Sequence, residues 1–517
     1  MAGILTKLHD VFQDITIDDI KEFCKDNVNV RICLVFSVCV GIWWLMRKPR
    51  GIPPGPRFTL PILGDLLSLD GGDGDMRIAT RQLRKKYGDI FSVYFGPKLF
   101  IFINGYDLIK EALVKRADVF SNRPSMYMND MINQKKGIIL SSGQLWKDQR
   151  KFALETLREF GFGKTILEDK INEEIGYFVE IIGNQKGGQF DMCRLTQASI
   201  SNVIASLVYG QRFDYEDPIF KEYLENIEEN FSAAGSTVVM NVLPILRFLP
   251  GDLFKFKRTL RNAVSIETKL VEPSVNDHLK NYDENNTNDF ISSYIKEMKR
   301  VEKTGEESYI NRENLPKSIG DLFVAGTETT STTMLWTILY LLHHPNIQTR
   351  CYKEIQDVVG SGRLPSMKDK PSMPYTQAVL QEVLRIANIV IIGLPHTVDE
   401  HILFHGYHIP KGTVVMPNLD SVLSDDQIWG DADVFRPERF LDENEQLVKK
   451  EEFIPFSLGR RTCLGESLAK MELFLFMTTL LQRFEFKPVD PDNMPTLKGV
   501  FGITHAPSKY EVRAVPR

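Results

Sequence analysis

One loop constrains this chain more than any other stretch: Phe456-Ser457-Leu458-Gly459-Arg460-Arg461-Thr462-Cys463-Leu464-Gly465, which runs straight into an apolar, helix-like segment from Glu466 to Phe476. A sulfur held in a Gly-bracketed loop at a helix start has its thiolate favoured by backbone N–H groups and by the positive end of the helix dipole. Such a thiolate is a soft ligand suited to iron. Gly459 and Gly465 carry no Cβ, so backbone can pass close to a flat macrocycle. Arg461, two residues before the sulfur, can reach a carboxylate. The plain alternative is a buried free cysteine beside a solvated arginine.

The chain has 517 residues, more than a usual single domain, yet shows no internal repeat and no Ser/Gly-rich linker. One large domain over 58–517 is expected, behind an N-terminal anchor. A net charge of −5 without a long basic run gives nucleic-acid binding no electrostatic support. The six cysteines (Cys24, Cys33, Cys39, Cys193, Cys351, Cys463) form no C-x-x-C pair and no disulfide-like density, so a reducing cytosolic face is the simpler compartment. Zinc would need a second ligand cluster, and the sequence offers none.

Residues 1–31 mix apolar positions with Asp10, Asp14, Asp18, Asp19, Glu22 and Asp26, which predicts an amphipathic segment and argues against an Arg-rich presequence. The uncharged run 32–46, ending in Trp43 and Trp44, predicts a membrane anchor helix. It is short against the roughly 20 residues of a bilayer span unless 28–31 contribute by snorkelling. Arg47, Lys48, Arg50 and Arg57 follow it and place the downstream chain in the cytosol by the positive-inside rule. A buried core helix or a signal peptide is the alternative; a cleavable signal would lie at the start and carry small residues after its apolar part. Segment 47–57, basic and containing Pro53-Pro54-Gly55-Pro56, reads as a stiff extended hinge.

Further on, alternation from Phe91 to Ile103 broken by Gly96-Pro97 predicts a β-hairpin. Ser142 precedes a helix that puts Trp146 and Arg150 on one face at i and i+4. Pro316 suits the first turn of a helix, and the apolar run from Ile319 to Leu342 predicts one of about 27 residues. In its middle, Ala325-Gly326-Thr327-Glu328-Thr329-Thr330 predicts a kink or bulge, because Gly followed by hydroxyl residues weakens the i to i−4 ladder. An acid and an alcohol side by side there can relay protons; a Thr-rich core helix with Glu328 solvated explains the same residues. Glu382 and Arg385, at i and i+3, read by themselves as a surface ion pair of little worth. His396 after Ile389-Val390-Ile391-Ile392-Gly393-Leu394-Pro395 is by itself an ordinary satisfied histidine. An ordinary hairpin accounts for Gly499-Val500-Phe501-Gly502-Ile503, and a core helix with a Pro-bounded turn for 218–251.

Together these stretches resemble the cytochromes P450. Phe456 to Gly465 matches the family's F-x-x-G-x-R-x-C-x-G loop, Trp146 and Arg150 its W-x-x-x-R helix, and 325–330 its A/G-G-x-D/E-T-T/S signature. Glu382 and Arg385 match E-x-x-R, and Pro437-Glu438-Arg439-Phe440 supplies the partner Arg439. The resemblance runs over roughly 50–510, in family order. Leu394-Pro395-His396 and Phe160-Gly161-Phe162-Gly163-Lys164 point to the microsomal animal group that hydroxylates xenobiotics and lipids.

The resemblance implies a mainly α fold with small β-sheets and haem b (iron protoporphyrin IX) between two long helices, with Cys463 as axial thiolate. Arg123, Trp146, Arg150, His396 and Arg461 would bind propionates, with Phe456, Gly459 and Gly465 completing the haem loop. Glu328 and Thr329 would relay protons, while Glu382, Arg385 and Arg439 brace the fold. Ala325, Gly326, Ile391, Ile392, Val500 and Phe501 would face an apolar substrate, with 218–251 as roof, its tip dipping into the bilayer. The implied reaction inserts one atom of O2 into a fatty acid, steroid or xenobiotic and releases the other as water. Electrons would come from NADPH through a separate NADPH-cytochrome P450 reductase, since no flavin or nicotinamide fingerprint occurs here, with cytochrome b5 as a further donor. Lys147, Lys151 and Arg158 would receive the reductase, although solvated helix faces explain them as well. The implied location is the endoplasmic reticulum membrane, cytosolic face. A thiolate-haem isomerase or dehydratase commonly lacks the acid-alcohol pair that this chain keeps, and a haem sensor or lipid carrier would not need it.

Overall fold

A computed structural model of the protein describes residues 48–56, 59, 64–65, 75–160, 165–242, 244–248 and 250–517, with Ser37 and Gly41. The expected segments 1–31 and 32–46 lie outside them apart from those two residues, as does 161–164. Among the described residues no helix is long and apolar enough to cross a membrane.

The fold is mostly helical. Its longer helices are α1 (Met76–Tyr87), α2 (Gly143–Glu159), α3 (Thr165–Asn184), α4 (Met192–Val208), α5 (Pro218–Val242), α6 (Phe290–Thr304), α7 (Leu315–His343), α8 (Pro345–Val358), α9 (Pro374–Ala387) and α10 (Glu466–Arg483). Small sheets flank them. Strands β1 (Ile90–Phe95), β2 (Lys98–Ile103), β3 (Gln189–Asp191), β4 (His396–Thr397), β5 (Ile402–Phe404), β6 (Tyr407–Ile409), β7 (Val414–Pro417), β8 (Phe484–Pro488), β9 (Gly499–Phe501), β10 (His505–Pro507) and β11 (Glu511–Pro516) make sheets β1-β2-β7-β4, β3-β11-β8, β5-β6 and β9-β10.

The expected hairpin is β1-β2, paired from Ile90 with Ile103 to Phe95 with Lys98. Its second strand pairs in parallel with β7, so Phe100 to Ile103 are all buried, as a strand covered on both faces requires. The described part of the hinge is docked rather than free. Pro53 and Pro54 carbonyls accept from the Ser92 hydroxyl and N–H at 2.7 Å each, and a Cβ on Gly55 would stand 2.0 Å from the Ser92 carbonyl oxygen.

Helix α7 crosses the core. Pro316 occupies its first turn, and His344 leaves helical geometry before Pro345, as a residue preceding proline tends to. Most of its side chains are buried, the hydroxyl residues of its middle as well as the apolar ones of its C-terminal half. It packs along α4, where Gly326 makes room: a Cβ there would lie 2.7 Å from Ile204 Cδ1. No bulge or break interrupts α7 at 325–330, and its helical hydrogen bonding is continuous from 315 to 343. Its hydroxyls bond back to carbonyls one turn earlier (Thr329 to Ala325 at 2.7 Å, Thr333 to Thr329 at 2.9 Å) without opening the ladder.

Behind α10, Glu382, Arg385 and Arg439 form a buried cluster. Arg385 donates two bonds of 2.8 Å to Glu382, and Arg439 Nε donates at 2.9 Å. Their other bonds run to backbone carbonyls, of Leu423, Trp429 and Val434 among others, and Arg439 Nη2 also pairs with the Asp431 carboxylate at 3.1 Å.

Candidate functional site

Between α7 and α10 lies a chamber of about 310 Å³, mostly apolar in its walls. Ala325, Gly326, Thr329 and Thr330 face it from α7, and Cys463 and Gly465 from the loop that starts α10. The accessible surface of Cys463 therefore opens onto this chamber. The Cys463 N–H donates to the Phe456 carbonyl at 3.0 Å, and Arg150 Nη2 donates to the Thr462 carbonyl at 2.7 Å, which holds the loop in place. Burial pushes the Cys463 thiol up, against the N–H groups of Gly465 and Glu466 and the charge of Arg150, which draw it down. The helix start thus assists the thiolate, as the sequence suggests, but does not by itself outweigh burial.

The two loop glycines differ. A Cβ on Gly465 would meet no protein atom within 4 Å, so this position is open toward the chamber. Gly459 is off the chamber wall. Its φ is +76°, and a Cβ there would fall 1.9 Å from the Leu113 carbonyl oxygen in the π-helical turn Glu111–Lys115. The sequence reading of Gly459 as clearance for a macrocycle is corrected: its missing Cβ makes room for protein backbone. Phe456 lines the chamber.

On one side of the chamber stand Arg123, Trp146, Arg150, His396 and Arg461, brought there from separate stretches of chain. The Arg461 guanidinium lies 3.9 Å from the Trp146 ring centroid and donates to the carbonyls of Ser121 and Ser141 at 2.9 and 2.6 Å. Arg123 donates to Ile139 and Pro395 carbonyls at 3.1 and 2.8 Å. Among the described residues no carboxylate forms an ion pair with any of these three arginines. Burial and the mutual nearness of like charges pull Arg461 down to about 8 and Arg123 to about 10. Burial likewise lowers Arg150, with Cys463 opposing it. The Trp146 Nε1–H is buried without a hydrogen-bond partner. His396 is held well below its usual value by burial and by Arg123 and Arg461; its neutral ring donates Nδ1–H to the Phe120 carbonyl at 2.6 Å. Three half-buried cations without a carboxylate partner and an orphaned N–H call for an anionic group, and the carboxylates at the rim of a haem answer that requirement.

The acid and alcohol of α7 diverge. Thr329 lines the chamber, but the Glu328 carboxyl turns to Thr504 and Thr332, accepting at 3.0 and 3.3 Å, and burial raises it. Consecutive helical residues point about 100° apart, so adjacency in sequence does not put both on one wall.

Ile391, Ile392, Val500 and Phe501 are not on the chamber wall. The stretch before β4 is irregular and not an extended strand, so alternation does not select its inward residues; Ile389, Val390, Gly393 and Leu394 are the ones that face the chamber. Ile391 is buried, with its carbonyl accepting from the Asp420 N–H, Ile392 packs against the β1-β2 sheet, and Val500 is 55 % exposed. Phe501 pairs with His505 in β9-β10.

Two wall residues escape a sequence reading. Asp321 on α7 accepts the N–H groups of Ile138 and Ile139 at 2.6 and 2.9 Å, tethering the loop whose carbonyls hold Arg123 and Arg461, and burial pushes it up to about 6. Glu472 stands alone in the apolar run of α10, and its one sequence signal is that isolation.

A family model described as Cytochrome P450 matches residues 53–514. The chain is 42 % identical over 477 residues to cytochrome P450 2J1 of Oryctolagus cuniculus, covering 91 % of this chain and 92 % of that one. It is 40 % identical over 474 residues to cytochrome P450 2J2 of Homo sapiens, with the same coverage, and 37 % identical over 506 residues to cytochrome P450 2U1 of Bos taurus, covering 93 % and 92 %.

Proposed function

The chain belongs to the cytochrome P450 family and is a haem-thiolate monooxygenase, and on that premise we propose that Cys463 is its axial ligand, haem b its cofactor and an apolar fatty acid, steroid or xenobiotic its substrate. The observation that carries the assignment is the set of three half-buried guanidinium groups without a described carboxylate, sharing a chamber with Cys463 and the orphaned Trp146 N–H. Arg123, Trp146, Arg150, His396 and Arg461 take the propionates, and Phe456 and Gly465 frame the ring. Gly459 shapes the loop.

When bound, haem supplies the activation of O2. The chain's own residues do the rest. The apolar wall, with Ala325 and Gly326, excludes water and orients the substrate. Thr329 offers a hydroxyl that holds a proton at the chamber wall, and a relay from Glu328 requires its carboxyl to leave Thr504 and Thr332, because it is off that wall. Glu382, Arg385 and Arg439 fix α9 behind the ligand loop.

Electrons come from NADPH through a separate reductase, with cytochrome b5 as a further donor, docking on Lys147, Lys151 and Arg158, which are exposed on α2. Residues 32–46 anchor the protein in the endoplasmic reticulum membrane behind 1–31, with 47–57 as hinge and 58–517 as the catalytic domain on the cytosolic face. Exposed Phe248 and Leu253 beyond α5 support contact of that edge with the bilayer.

Purified full-length protein, supplied with reductase, NADPH and 18O2, is expected to give products bearing one labelled oxygen across a panel of lipids and drugs. Consumption of a fatty-acid peroxide without NADPH, and no labelled product in the panel, overturns the reading.

A further inference from the structure

Helix α9 ends at Ala387, because Asn388 turns left-handed at φ +38°, and a helix end leaves carbonyls that need partners from elsewhere. His505 of β10 supplies one. Its ring Nδ1–H donates to the Ala387 carbonyl at 3.1 Å, and its backbone N–H donates to the Ile389 carbonyl at 2.8 Å. Further on, the chain is tied at Ile391, whose carbonyl accepts from the Asp420 N–H at 3.0 Å, and at Gly393, whose N–H donates to the Pro417 carbonyl at 2.8 Å. Of these ties only that of the His505 ring is made by a side chain. Within the tied stretch Ile389, Val390 and Gly393 face the chamber.

His505 is itself held from α7. Its carbonyl accepts from Trp336 Nε1–H at 2.9 Å, and the two rings stack with centroids 5.2 Å apart. Both residues are buried. A carbonyl only accepts, so Nδ1 carries the proton; burial, with Arg77 near, holds the ring down to about 4, which leaves it neutral at pH 7 with Nε2 bare. Nε2 has no hydrogen-bond partner among the described residues and abuts Gly499, where a Cβ would stand 2.0 Å away. The polar function of the ring is thus spent on one bond, to the wall stretch. Through that bond β10 bears on the chamber, although Val500 and Phe501 of its partner strand are off the wall.

We propose that His505 is a positioning residue for the oxidation: its Nδ1–H fixes Ile389 and Val390 against α7 and thereby sets which carbon of an apolar substrate is attacked. This rests on the monooxygenase reading and adds to it what decides the site of attack. Loss of the donor leaves the buried Ala387 carbonyl unpaired, which favours a displaced wall stretch that finds water or another donor. Rates at neighbouring C–H bonds respond steeply to a displacement of about 1 Å, so the distribution of products reports the tether.

The test compares the parent with H505L and H505N as haem-loaded full chains with reductase. Leucine and asparagine share a branched shape, and only asparagine keeps an N–H donor at the place of Nδ1. The readout is the distribution of product over the carbons of dodecanoic acid and of each panel member that the parent oxidises. H505L is expected to shift it by roughly threefold or more between neighbouring carbons, with the ferrous-CO spectrum unchanged. Hydrogen exchange of the peptide covering 387–394, read by mass spectrometry with or without haem, is expected to quicken in H505L. H505N is expected to keep the parent's distribution and exchange, a rescue that ring packing on Trp336 would not give. H505L products distributed as the parent's overturn the proposal, and so do H505L and H505N shifted alike. Should H505L load no haem, H505A removes the same donor and takes its place under the same criterion; exchange, which needs no haem, decides if both fail. If the parent gives no NADPH-dependent product at all, the monooxygenase reading fails separately, and exchange in 387–394 equal in parent and H505L still overturns the tether.

Discussion

Gly459→Ala is a demanding test of how the ligand loop is held. The backbone at 459 has φ +76°, and a methyl group there stands 1.9 Å from the Leu113 carbonyl oxygen and 2.7 Å from its carbon. Left-handed geometry costs a non-glycine residue about 1 kcal/mol. Relieving the contact requires the loop and the π-helical turn Glu111–Lys115 to part by more than about 1 Å, an overpacking cost of about 1–3 kcal/mol. Neither side yields easily, because the Arg461 side chain is tied to Ser121 and Ser141 and the Thr462 N–H to the Gly459 carbonyl. The sum, about 2–4 kcal/mol, corresponds in a chain this large to a fall of roughly 2–4 °C in unfolding temperature. Circular dichroism melts of the haem-loaded protein measure it, and the ferrous-CO spectrum before and after gel filtration measures haem retention, which should fall too. Gly465→Ala is the control. It meets no protein atom within 4 Å, so its defect should show in haem retention with helical content unchanged. A Gly459→Ala protein that melts within ~1 °C of the parent and retains haem equally would refute the reasoning.

Cys463→Ser is expected to abolish the strongly red-shifted ferrous-CO Soret band; an unchanged band would sink axial ligation by this residue. Glu382→Gln leaves Arg385 and Arg439 as buried, under-compensated charges and should cost about 3–5 kcal/mol in denaturant titrations, so a loss under about 1 kcal/mol would contradict the role given to the cluster. Because burial lifts Glu472 to about 8 from a usual value near 4.5, the unfolded chain releases this proton first. Its contribution to stability is therefore intact below about pH 4.5 and is lost as pH rises toward 8. E472Q should gain on the parent across that window by about 3 kcal/mol at pH 7, and parallel stability curves would argue against a buried neutral acid.

Much of the site is legible in local pattern. Trp146 and Arg150 share a face because a helix repeats every 3.6 residues, and the 90–103 hairpin announces itself by alternation and a Gly-Pro break. Direction and distance are not legible in the same way. Glu328 and Thr329 are neighbours in sequence that point to different surroundings, and Gly459 answers to Leu113, far earlier in the chain. Ile391 and Ile392 look like the inward face of a strand, but Gly393 donates its N–H to Pro417 in an irregular stretch and the alternation has no strand to act on. Glu472 is hidden by its company, since an acid in an apolar helix gives no hint of which wall it reaches. The predicted anchor at 32–46 falls outside the described residues, Ser37 and Gly41 excepted.

The parallel pairing of β2 with β7 carries a consequence for synthesis on the ribosome. Strand β2 is complete once Ile103 emerges, but its partner at Val414–Pro417 follows roughly 300 residues later. At ~5–20 residues per second, the apolar edge of Phe100 to Ile103 waits roughly 15 to 60 s for its neighbour. An unpaired apolar edge of this kind invites pairing with other chains. Strand β3 waits longer, for β11 at the very end of the chain. Nascent chains should thus draw on chaperones throughout elongation, and a ribosome stalled before Val414 should release an aggregation-prone product.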